Sequence, residues 1–92
     1  VRGFRVNPGS TGDIKVTIDR SSSINTMEIF QEDSYTAGSA PAGYSKFANI
    51  GRDGKGKGVV GVTVTNAAKN YIVLLRLDGY SSVSYSGNVV VP

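Results

Sequence analysis

The chain contains no cysteine and no histidine. Without Cys there is no disulfide framework, no zinc ribbon and no thiol nucleophile. Without His as well, neither a Ser-His-Asp nor a Cys-His constellation can be assembled. A Ser-Lys pair stays open chemically, but nothing marks one serine among many as an activated nucleophile. Charge of one sign is also scarce: 10 basic and 7 acidic residues leave a net charge of +3. The basic residues are spread along the chain, with a local cluster only between Arg52 and Lys57. A nucleic-acid surface gathers such residues on one face, so composition argues against that class. A base-stacking OB-like barrel remains the form such a binder would take. Long hydrophobic runs are missing too, and none approaches the roughly 18 residues that a membrane-spanning helix needs. The chain starts at Val1 with no signal-like segment, which reads as a mature product or an excised domain.

What is present is short alternation and abundant turn chemistry. At 92 residues the default is a single domain spanning 1–92. So short a chain can bury one thin core, with little room for a deep enclosed site. The 12 glycines, with many Ser and Thr, fit frequent turns. Phe4 and Val6 flank Arg5 ahead of the turn Asn7-Pro8-Gly9. Ile14, Val16 and Ile18 alternate strictly with Asp13, Lys15, Thr17 and Asp19, the period of a half-buried strand. Thr26–Gln31 predicts a strand with Met27 and Ile29 inward and Glu28 outward. Glu32–Gly43 reads as a long polar loop, Tyr44–Ile50 as a weaker strand, and Gly51–Gly58 as a charged, glycine-rich turn. Val60, Val62 and Val64 alternate again.

Tyr71–Leu77 is apolar on both faces, the pattern of a central or doubly covered strand. Val83–Tyr85 and Asn88–Val91 read as two further strands, separated by a turn at Ser86-Gly87. No stretch reads as a helix. Seven or eight short strands with regular turns predict an antiparallel β-sandwich, jelly-roll or immunoglobulin-like.

Several patterns touch on chemistry. Gly51-Arg52-Asp53-Gly54-Lys55-Gly56-Lys57-Gly58 superficially matches a phosphate loop. However, Gly58 stands where Ser or Thr would ligate Mg²⁺, and the segment leads into a strand rather than a helix. It reads better as a hairpin tip whose Arg52, Lys55 and Lys57 can hold an anionic surface. The carboxylates show no paired spacing of the glycosidase kind and read as solvated strand or turn residues. Glu32-Asp33 beside Ser34 is the best short calcium candidate, although it lacks the twelve-residue loop pattern. The expectation is therefore no catalytic residue, no metal ligand set and no cofactor, with a structural calcium as the one ion left open.

Tyrosine combines a broad apolar face with a polar tip, which suits contact surfaces. Of the five tyrosines, Tyr71 and Tyr85 read as ordinary sheet residues. Tyr35, Tyr44 and Tyr80 are the contact candidates, with Arg52, Lys55 and Lys57 beside them. In a two-layer sandwich Ile72 and Leu74 face away from the other sheet. They need cover from the Glu32–Gly43 loop or from another molecule, and they are the candidate interface residues.

The order of elements resembles the bacterial pre-peptidase C-terminal and collagen-binding domains, β-sandwiches appended to secreted proteases. Asp13-Ile14-Lys15-Val16-Thr17-Ile18 is similar to the family's early core strand, and Thr26-Met27-Glu28-Ile29-Phe30 to its central strand. Asn70–Leu75, Gly79-Tyr80-Ser81, Tyr85 and Val89-Val90-Val91 are similar to its closing segment. That central strand carries paired acidic residues in the family. Asn25 and Thr26 stand there in this chain, so the family's calcium sites are not carried over. The resemblance implies a non-catalytic accessory or binding module of a secreted or surface bacterial protein, with a protein or polysaccharide partner and no membrane insertion. The alternative is a self-assembling subunit of an extracellular filament or virion coat, with Ile72 and Leu74 at the contacts between copies.

Overall fold

Side chains alternate across a strand, so a chain patterned with period two must bury one face of each sheet against another layer. The computed structural model describes residues 2–21, 24–34, 36–39, 41–47, 57–77 and 85–92 and shows that arrangement. Among these residues seven strands run in order: β1 (Arg2–Val6), β2 (Gly12–Ser21), β3 (Ile24–Gln31), β4 (Ser45–Phe47), β5 (Gly58–Val64), β6 (Tyr71–Leu77) and β7 (Tyr85–Val90). They form two antiparallel sheets, β1-β6-β3-β4 and β5-β2-β7. No helix among the described residues is long and apolar enough to cross a membrane.

The core lies between the sheets. The smaller sheet contributes Ile14, Val16, Ile18, Val60 and Val64, and the larger one Val6, Ile24, Met27, Ile29, Tyr71, Val73 and Leu75. The strict alternation at 14, 16 and 18 therefore reports burial on one face. β6 is central, paired with β1 on one side and β3 on the other. Its inward residues Tyr71, Val73 and Leu75 join the core, while Ile72 and Leu74 lie half-buried on the outward face. Tyr71 is a core residue, as its place at a strand start predicts.

Two readings of the chain need correction. Ser86-Gly87 is not a turn, because both residues lie inside β7, opposite Arg20 and Ile18 of β2. The register there shifts between Ile18 and Arg20. A Cβ on Gly87 would run into the Thr17 carbonyl. Glycine at this position serves a close backbone approach beside a bulge, one of the two meanings a strand glycine carries. Glu28 is not a solvated strand acid either. It points outward as predicted but is buried, at 7% relative exposure.

The loop after β3 is held in place by local bonds. Gln31 N–H donates to Ala42 O at 2.8 Å, and Glu32 N–H to Asn70 O at 2.9 Å. The Ser34 hydroxyl donates to Gln31 O and accepts from Ala42 N–H. Gly43, at φ 61°, passes so close to Tyr71 that a Cβ there would lie 2.9 Å from ring atom Cε2.

Candidate functional site

The outward face of the four-stranded sheet is where sequence and geometry converge. Register places Gly3, Leu74, Glu28 and Lys46 in one row across the sheet, and Arg5, Ile72 and Phe30 in the next. Tyr44, one residue before β4, emerges on the same face and reaches Glu28. Ile72, Leu74 and Phe30 are half-buried on this face, and Tyr44 is exposed at its margin. Gly3 leaves room for Leu74, since a Cβ there would lie 2.9 Å from Leu74 Cδ2. The absence of a side chain on β1 thus lets an aliphatic side chain spread over the neighbouring strand.

Two ion pairs frame this apolar centre. Arg5 on β1 reaches Glu32 beyond the end of β3. Its Nε donates to both carboxylate oxygens, at 3.2 and 3.0 Å, and NH2 donates to Oε1 at 2.8 Å. β6 lies between the two partners, with Ile72 opposite Arg5. At the other end Arg76 Nε donates to Glu28 Oε1 at 2.6 Å, and the Tyr44 hydroxyl donates to Oε2 at 2.9 Å.

Burial of the Glu28 carboxylate opposes its charge. The hydrogen bonds from Arg76 and Tyr44, with the charges of Arg76 and Lys46, outweigh burial and hold the Glu28 pKa below the usual carboxylate range. Tyr44 moves the opposite way: burial and donation to a carboxylate both keep the proton on its hydroxyl. The hydrogen bond from Arg5 lowers the Glu32 pKa as well. Both acids on this face are therefore fixed as anions, each paired with an arginine. Together with Tyr44 they form a polar frame around the apolar centre.

Of the contact residues expected from the sequence, the structure places Tyr44 on this face together with the interface candidates Ile72 and Leu74. Lys57 is exposed elsewhere. It lies just before β5 in the other sheet, where it lines a hollow with Asp19 and Phe47. Tyr35, Tyr80, Arg52 and Lys55 lie outside the described residues. The calcium candidate at Glu32-Asp33-Ser34 is already engaged, with the Glu32 carboxylate on Arg5 and the Ser34 hydroxyl on backbone. Among the described residues no group of three or more acidic side chains gathers in one place.

Sequence reasoning missed Glu28, Arg5 and Arg76 as members of one surface. The signal was available only for Glu28, an outward acid in the middle of an apolar strand. No family model matches the chain, and neither a curated protein nor a solved structure shows significant similarity to it.

Proposed function

We propose that this domain is a non-catalytic binding module that holds a protein partner on the outward face of its four-stranded sheet. One observation carries the reading: Phe30, Ile72 and Leu74 form a half-buried apolar centre inside a frame of Tyr44, Arg5–Glu32 and Arg76–Glu28. An apolar centre with a polar rim, enriched in Tyr and Arg, is the anatomy of a protein contact. Arg5, Glu32, Arg76 and Glu28 are already paired within the domain, so a partner would not have to neutralise these four, and Lys46 of the same face can take an acidic group. A polysaccharide site would instead present a platform of exposed rings. Tyr44 is the one exposed aromatic residue among the described residues on this face, which favours a protein over a polysaccharide.

The residues support the non-catalytic part of this reading. The chain has no His and no Cys, and both acids on the face are held as anions. The resemblance of the Asp13–Ile18 and Asn70–Leu75 segments to the appended sandwich domains of secreted bacterial proteases supports an extracellular or cell-surface setting.

The test is site-specific photo-crosslinking in the producing cell. A crosslinker at Ile72 should give one discrete protein adduct that Leu74→Lys removes. A crosslinker at Val59, on the other sheet, should give none. Equal adducts from both positions, or none from Ile72, would overturn the proposal, as would retention on polysaccharide that Leu74→Lys weakens.

A further inference from the structure

The opposite side of the molecule is unusual in another way. β5 packs against β3 and β4, which brings the two sheets together along that side. Along the β1 and β7 side a hollow remains between them. Val89 lies opposite Val16 and Gly87 opposite Ile18, so Tyr85, Gly87 and Val89 share the core-facing side of β7. Yet Tyr85 is 48% exposed and Val89 40%, whereas their neighbours Val16 and Ile18 are buried. With Phe4 of β1 these residues wall an apolar groove of about 270 Å³ between the two sheets.

Among the described residues β7 is also an edge strand, paired only with β2. Edge strands are usually guarded by charged residues, prolines or short length. Here β1 carries Arg5, β4 has three residues including Lys46, and β5 lies against β4. β7 has the sequence YSGNVV, with no charge and no proline, and all six residues are exposed. Pro92, packed beside Gly12, limits backbone pairing at its C-terminal end because it has no N–H.

We propose that β7 pairs antiparallel with β7 of a second copy, joining two three-stranded sheets into one of six strands. Charge permits this occupant: the strand that two copies would share carries no charged side chain, so the contact itself sets no like charges against each other. Geometry agrees. A two-fold axis perpendicular to the sheet keeps the core-facing side of both copies on the same side. Tyr85 and Val89 of each copy then enter the open groove of the other, beside Phe4. A second copy closes two open cores at once, whereas an unrelated strand closes one. The pairing uses the smaller sheet and leaves the outward face of the larger one free, so it stands independently of the binding-module reading.

Sedimentation equilibrium from low to high micromolar concentration, combined with hydrogen exchange, tests the pairing. The expected result is a monomer–dimer equilibrium in which protection of β7 amides rises with concentration while that of β1 amides does not. Val89→Lys should raise the dimer Kd at least tenfold while leaving circular dichroism and the cooperative melt intact. Asn88→Lys, on the solvent face of the same strand, serves as a second variant if the first fails to fold. A monomer at every concentration overturns the proposal. So does association that survives both charged substitutions. Association lost on Ile72→Lys but not on Val89→Lys would place the contact on the four-stranded sheet and overturn it as well.

Discussion

The Tyr44 hydroxyl donates to Glu28 Oε2 at 2.9 Å, completing a carboxylate whose other oxygen is held by Arg76. Glu28 can stay ionised at 7% exposure because both of its oxygens have donors. Tyr44→Phe removes one of these donors and keeps the ring. A hydrogen bond to a charged group contributes about 1.5–3 kcal/mol, and water can partly replace the lost donor at an exposed tyrosine. We expect Tyr44→Phe to lower stability by about 1 kcal/mol, read from urea denaturation with an unchanged m-value.

Glu28 also sets a pH dependence. Its folded pKa lies below its unfolded value. The group therefore contributes stability above the ordinary Glu range, and that contribution fades as the pH falls through the folded pKa. Glu28→Gln should be less stable than the parent at neutral pH. The gap should narrow steadily once the pH drops below about 4.3, the usual Glu value. A gap that is constant from neutral pH to strongly acidic solution would sink this account. Arg5–Glu32 should behave differently, since Arg5 is 61% exposed: solvent and salt screen such a pair, and Glu32→Gln should change stability little in moderate salt.

Leu75 is fully buried in central β6, paired with Arg2 on one side and Met27 on the other. Strands on both sides prevent the site from collapsing around a lost side chain. Leu75→Ala should cost about 3–5 kcal/mol, the upper part of the usual range for such truncations. A small domain has little stability to spare, so the expected readout is a loss of the cooperative thermal transition, or a melting point lowered by more than 10 °C, taking roughly 4–8 °C per kcal/mol. A shift of only a few degrees would show that the core repacks.

Gly87→Ala tests whether the close approach of β7 to β2 depends on glycine. The added Cβ meets the Thr17 carbonyl, which is backbone and cannot step aside as a flexible side chain could. Hydrogen exchange should show faster opening of β7 amides, with the β2–β5 ladder still protected. Unchanged β7 protection would mean that the bulge absorbs the extra atom.

Much of this molecule was legible in its sequence. The alternation at Ile14, Val16 and Ile18 determined a strand, its buried face and a sandwich partner for it, because period-two patterning has one low-energy solution in water. The doubly apolar run from Tyr71 to Leu77 determined that β6 is central. The absence of His and Cys removes whole classes of chemistry at the level of composition. Other features depended on pairs distant along the chain. Glu28 and Arg76 are 48 residues apart in sequence, and Arg5 and Glu32 are 27 apart; only strand register makes them neighbours. Ser86-Gly87 looked like a turn because local composition cannot distinguish a turn glycine from one pressed against a neighbouring strand. The exposed core-facing residues of β7 were invisible for the same reason. Their pattern is that of any buried strand, and only the hollow between the two sheets along the β1 and β7 side left Tyr85 and Val89 in contact with water.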